Sequence, residues 1–153
     1  LARAHAILKT FRGGFIGKSS PSHFFWGGFD LAVTRFSGRP APVHPGGVPN
    51  LADRVTREAY SHELYSAGWW PGNDAYREAA FYAYAYPEPD GFGDAPGLPD
   101  GAFYHPELRE FLLPWSVARA APDPERAVLD FLEATYAAAA DLGAWDRRAL
   151  ERR

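Results

Sequence analysis

The chain has 153 residues, 46% of them apolar and 23% charged, with a net charge of -3; this is a globular composition, long enough for a core that buries roughly two-thirds of the unfolded surface. The acidic balance, without any basic tract, argues against broad contact with nucleic-acid phosphates, and the absence of cysteine excludes disulfides, thiolate nucleophiles and cysteine-ligated zinc or iron–sulfur centres. No apolar run reaches membrane-spanning length, so neither nucleic acid nor a membrane is an expected partner and the cytoplasm is the expected location.

In chain order, LARAHAILKTF places Leu1, Ala4, Leu8 and Phe11 on one helical stripe. This helix begins without methionine or a capping residue, as though cut open, and Gly13 with Gly14 ends it. The next segment, GGFIGKSS, imitates a phosphate loop, but only three residues separate Gly13 from Gly17 where four are needed, and a helix rather than a strand leads into it. An ordinary loop with a solvated Lys18 is the preferred reading.

The stretch from Phe24 to Phe36 reads as one strand. Alternation puts Phe25, Phe29, Leu31 and Val33 on a core face, with Trp26, Asp30 and Thr34 on the other. Four prolines make 37–50 a loop. Asn50 and Asp53 are candidate caps for a helix over about Leu51–Tyr60, while SHELYSAGWW reads equally as a strand. AAFYAYAYPEP is the clearest strand, with Tyr82, Tyr84 and Tyr86 on one side and Phe81, Ala83 and Ala85 on the other. A second loop spans 87–101, REFLLPW is a short strand, and Asp123 with Pro124 opens a helix whose stripe runs through Val128, Phe131, Leu132, Thr135, Tyr136 and Ala139. These pieces predict an α+β fold, a mainly antiparallel sheet with packed helices that include a long C-terminal one.

Candidate chemistry lies in the polar residues beside the aromatic segments. His23 precedes a strand, and its imidazole exchanges protons near neutral pH. His62 and Glu63 are neighbours, on opposite faces if the segment is a strand. In a helix, Glu58 and His62 share a face instead. With His44 as a further histidine in a loop, a metal site is conceivable, but the spacing matches no zinc-hydrolase helix, and no metal or cofactor is assigned. His23, His62 and Glu63 are the candidate catalytic residues, against the plain alternative of hydrogen-bonded boundary side chains. Trp26, Asp30, Arg35, Tyr82 and Tyr84 are the candidate ligand-binding residues. Asp30 needs a partner or water wherever it is buried, Arg35 offers a two-pronged anion contact or an internal salt bridge, and the tyrosines form an apolar wall rimmed by hydroxyls.

The blocks GGFIGKSSPSHFFWGGFDLAVTRFSGR, EAYSHE, GWWPG, FYAYAYPEP and EFLLP occur in that order along essentially the whole chain. In this respect the sequence resembles a bacterial family of unknown function. That family usually has serine where Gly28 stands and phenylalanine where Trp69 stands. The resemblance implies a single domain over 1–153 or the C-terminal half of a larger one, and with it an association with a missing N-terminal half or with another copy. It brings no activity. A small-molecule enzyme with a histidine and carboxylate site in an aromatic pocket is the first expectation, followed by a noncatalytic small-molecule-binding module and by a structural or subunit-interaction domain.

Overall fold

Period-two alternation along six strands decides the architecture. The computed structural model describes residues 1–48 and 51–152. Strands β1 (His23–Phe25), β2 (Asp30–Pro40), β3 (His62–Trp70), β4 (Ala80–Tyr86), β5 (Phe103–His105) and β6 (Glu110–Pro114) form one antiparallel sheet in the order β1-β2-β3-β4-β6-β5. With helices α1 (Ala2–Gly13), α2 (Asp53–Ala59), α3 (Trp115–Ala120), α4 (Pro124–Leu142) and α5 (Arg147–Leu150), the chain has the expected α+β fold.

One face of the sheet is covered by helices. Val33 lies opposite Ala67, Ala67 opposite Ala83, and Ala83 opposite Phe111, and this row packs into a common core with α1 and α4. The two alanines keep the middle of that face shallow, which leaves room for the buried α4 side chains Phe131, Leu132 and Tyr136. Helix α4 starts as its sequence dictates: the Asp123 carboxylate accepts the Arg126 N–H at 3.0 Å, and Pro124 occupies the first turn. Tyr65 ties the layers together, its hydroxyl donating to the Leu132 carbonyl at 3.1 Å and lying 2.8 Å from the Thr135 hydroxyl.

Arg35 also faces the helices, and it is buried. Its guanidinium carbon stands 3.4 Å from the Phe11 ring centre, 4.3 Å from that of Tyr136 and 5.2 Å from that of Phe15. It donates to the Phe11 carbonyl at the end of α1 and lies 3.9 Å from the Glu133 carboxylate on α4. The internal ion pair weighed for this residue is therefore present, and three aromatic faces carry much of the contact.

Several local expectations are corrected. The strand read through Phe24–Phe36 is a hairpin, because Gly27 and Gly28 sit in a turn between β1 and β2 and Phe29 adopts a left-handed φ of 57°. The turn shifts the alternation: Phe24 packs against the core, whereas Phe25 and Phe29, expected inside, are about half exposed. Strand β2 continues to Pro40, with an irregular register after Phe36, so the loop begins later than expected. SHELYSAGWW is strand, and Asp53 opens α2 while its side chain accepts the Gly47 N–H at 2.9 Å instead of capping; Asn50 lies outside the described residues. In α1, Ala4, Ile7, Leu8 and Phe11 are buried and Leu1 is exposed. Strand β5 and helix α3 were not legible, since each is too short to show a period.

Removing the Arg35 side chain should strip the clamp between β2, α1 and α4. Arg35→Ala is expected to lower stability by about 3 kcal/mol in urea denaturation. Glu133→Ala, which removes a largely exposed partner, should cost less than about 1 kcal/mol.

Candidate functional site

The face of the sheet turned away from α1 and α4 carries the polar groups. Along β4, Tyr82, Tyr84 and Tyr86 point to this outer face, because Phe81, Ala83 and Ala85 occupy the core side. Opposite Tyr82 on β3 is Gly68, and opposite Gly68 on β2 is Ala32. A glycine and a methyl leave the Tyr82 ring space to reach over both strands, and its hydroxyl donates to the Asp30 carboxylate at 2.6 Å. Gly68 is required there: an added Cβ would lie 2.1 Å from the Leu31 carbonyl oxygen.

The row beside it runs through Tyr84, Ser66 and Thr34. The Thr34 and Ser66 hydroxyls are 3.1 Å apart, and the Tyr84 hydroxyl is 2.9 Å from that of Tyr60, which follows α2. The rings form a stack, Tyr82 and Tyr84 inclined by 14° with centres 6.2 Å apart, and Tyr84 and Tyr60 by 28° at 6.5 Å. Next to Tyr60 lies the His44 ring, at 4.9 Å, and Tyr86 completes a triangle of rings, 5.2 Å from His44 and 5.1 Å from Tyr60. His44 Nδ1 accepts the Gly46 N–H at 3.0 Å, which leaves Nε2 as the protonated nitrogen of the neutral ring.

His44, Tyr60, Tyr84 and Tyr86 line an open cleft of about 620 Å³ together with Glu88, Leu108, Arg109 and Glu110, within the size range of small-molecule sites. Arg109 is already engaged, donating to Glu88 at 2.9 Å, while the Tyr104 hydroxyl donates to the other Glu88 oxygen at 2.8 Å. Glu110 is different. Burial, and secondarily the negative charge of Asp30, push its carboxyl up to about 7, and no hydrogen bond enters that balance. His105 stands across from it in the β5–β6 register, with its Nδ1 turned to the Leu108 N–H at 3.3 Å. Tyr82 is pushed well above its usual value by burial and then by Asp30, and Tyr84 by burial and then by Tyr60, so both remain neutral hydrogen-bonding groups.

The residues singled out by sequence divide between separate places. Asp30, Tyr82 and Tyr84 share the outer face. Arg35 lies on the opposite one, as strand alternation required. Trp26 sits at the tip of the β1–β2 hairpin, 81% exposed, touching the Phe24 and Phe29 rings edge-on. His23 pairs with Ala32 at the sheet edge and His62 with Pro40 near the other end of β3. Six residues of strand, about 20 Å, separate His62 from the Gly68 level at which His23 enters the sheet, so the two histidines do not converge. Glu63 turns to the other face, where it binds Arg39 at 2.7 Å and accepts the Ser37 hydroxyl at 2.8 Å. Arg39 also donates to the Gly143 and Ala144 carbonyls that close α4. Sequence reasoning passed over Glu110, Tyr60, Glu88 and Arg109 as site residues. The available signal for Glu110 was its strand parity, which sets it on the same face as Leu112 and away from the helix-packed side of the sheet.

The described residues contain no group of three or more histidine, aspartate or glutamate side chains arranged to hold a metal ion, and no helix among them is long and apolar enough to cross a membrane. Fold and cleft define an α+β domain whose antiparallel sheet is covered by helices on one face and carries a tyrosine and carboxylate cleft on the other. The chain belongs to a family of unknown function, DUF5996, whose sequence model matches residues 1–152. No curated protein and no solved structure matches it.

Folding holds the Glu110 proton more tightly than the unfolded chain does, since the folded value near 7 exceeds the ordinary 4.5. The associated stability is fully present below the unfolded value and is lost as pH rises through about 7. Urea denaturation at pH 5 and pH 8 should therefore show the wild type losing up to about 3 kcal/mol of stability from this group, and Glu110→Gln should flatten that dependence. Gly68→Ala, by forcing β2 away from β3, should cost about 3 kcal/mol or prevent folding, as measured by circular dichroism melts.

Proposed function

We propose that the chain is a small-molecule-binding domain whose ligand occupies the outer-face cleft between Tyr60 and His44 on one side and Arg109 and Glu110 on the other. The observation that carries this reading is the union, in one cleft, of a partly buried carboxyl that has no partner among the described residues and a stack of neutral tyrosines. A protein surface that merely needed solubility would leave such a carboxyl in water. Here Glu110, Tyr84 and Tyr60 supply a polar anchor beside flat apolar walls, the combination that orients a small ligand. Asp30 and Tyr82 extend the polar surface along the same face.

A catalytic version of this site is favoured by one further observation. Burial, and secondarily the negative charge of Asp30, push the Glu110 carboxyl up to about 7, the range in which a side chain serves general acid–base chemistry at neutral pH. In that version Glu110 exchanges the proton and Tyr82 holds Asp30 in place. Among the described residues the histidines stay outside the cleft apart from His44, whose Nδ1 takes the Gly46 N–H.

Binding should be read by two-dimensional ¹H–¹⁵N NMR during a screen of aromatic fragments. Amide shifts are expected to gather at residues 84–88 and 108–110, and Tyr60→Ala should weaken the strongest fragment about tenfold by removing one stacking face while leaving the rest of the spectrum in place. Shifts scattered over the helical face, or centred on the Trp26 hairpin, would defeat the proposal.

A further inference from the structure

Resting on that assignment of the cleft, we infer that its ligand is an organic cation, an ammonium or guanidinium group on a flat or apolar body, with the cation meeting the Glu110 carboxylate and the body lying against Tyr84 and Tyr60. The acidic groups do not stand alone in this argument. They border a cleft of about 620 Å³ walled by Tyr60, Tyr84 and Tyr86, and aromatic faces with an adjacent carboxylate are the surroundings in which a cation is best held after losing water.

Charge bookkeeping across the site points the same way. Glu110 lines the cleft, and Asp30 stands behind Tyr82 on the same sheet face, close enough to act on Glu110. The cation nearest in the cleft wall, Arg109, is consumed by Glu88, which Tyr104 also holds. Arg35 lies on the far side of the sheet under Phe11 and Tyr136. Among the described residues the Glu110 carboxylate at the cleft wall has no ion-pairing or hydrogen-bonding side chain, and His105, opposite it in the β5–β6 pair, turns its Nδ1 to the Leu108 N–H instead. An anionic ligand would add a third charge of the same sign. A neutral polyol would find hydroxyl partners in Tyr60 and Tyr84, yet it would leave the Glu110 carboxylate without a countercharge. A cation supplies what Glu110 lacks, a charge-assisted hydrogen bond, and the rings of Tyr84 and Tyr60, inclined by 28° to one another, offer π faces to the same group or to the body that bears it.

The test compares isosteric probes at about pH 8, where Glu110 is mostly ionised. Benzylamine, benzamidine, benzyl alcohol and benzoate are titrated into the folded chain, with binding followed by amide shifts at residues 84–88 and 108–110. The two cations are expected to bind about tenfold or more tighter than benzyl alcohol, with benzoate weaker still. Glu110→Gln should bring the cations down to about the affinity of the alcohol, and Asp30→Asn should have a smaller effect in the same direction. Spectra of both variants report whether the fold is retained, and for Glu110→Gln the loss of a poorly solvated charge favours folding. Equal binding of cation and alcohol, or cation affinity unchanged in Glu110→Gln, overturns the inference while leaving the cleft as a binding site. If none of the four probes moves the cleft resonances, the binding-site reading itself falls.

Discussion

Arg35 projects from the middle of β2 into the space between sheet and helices, and a guanidinium placed there has too little contact with water to be solvated, so the elements around it must supply its partners. Helix α1 offers the Phe11 carbonyl and the Phe11 ring, the loop after it offers Phe15, and α4 offers the Tyr136 ring and Glu133. No single contact is sufficient. The aromatic faces compensate part of the lost hydration, the carbonyl fixes the direction of one N–H, and the carboxylate at 3.9 Å reaches out to solvent. Because these partners come from both helices, the positions of α1 and α4 relative to β2 are set together, and one face of the sheet is closed.

Closing one face determines what the other becomes. With the helical layer on the Val33, Ala67 and Ala83 side, the strands place Asp30, Ser66, Tyr82, Tyr84 and Glu110 on the face away from α1 and α4. The segments on either side of α2 bring Tyr60 and His44 over the sheet without reaching Glu110, and the gap between the two sides is the cleft. The site is therefore a product of incomplete coverage. Its tyrosines satisfy one another and Asp30, and the carboxyl left over, Glu110, is the one whose proton affinity the surroundings displace most usefully.

Legibility from sequence followed the length of each periodic signal. The seven residues of β4 alternate without a break, and α4 carries a cap, a first-turn proline and a long apolar stripe, so both were readable with their faces. The hairpin at 26–29 was missed because FFWGGFDLAV alternates well enough through the turn to pass for one strand; the glycine pair was the cue, and the left-handed Phe29 resets the phase. Parity alone separated Asp30 from Arg35. It could not foresee that Arg35 would be clamped by rings from two distant segments, nor that Glu110, about 80 positions along the chain from Asp30, would come to share its face, since both depend on strand order. His23, His62 and Glu63 drew notice for their chemistry, whereas their spacing in the sheet is set by pairing partners that no local pattern reveals.

The hairpin leaves one further mark on the molecule. Of the five tryptophans, Trp26 is the most open, at 81% exposure against 40% for Trp115, while Trp69, Trp70 and Trp145 are partly buried. Trp70 lies nearly parallel to Tyr76, with ring centres 6.4 Å apart. An aqueous quencher such as iodide reaches the indole at the hairpin tip before it reaches the others, so the intrinsic fluorescence of this chain divides into an outer and an inner population. The β1–β2 turn thus carries its own optical label, placed away from the cleft and sensitive to whatever comes to rest against that edge of the sheet.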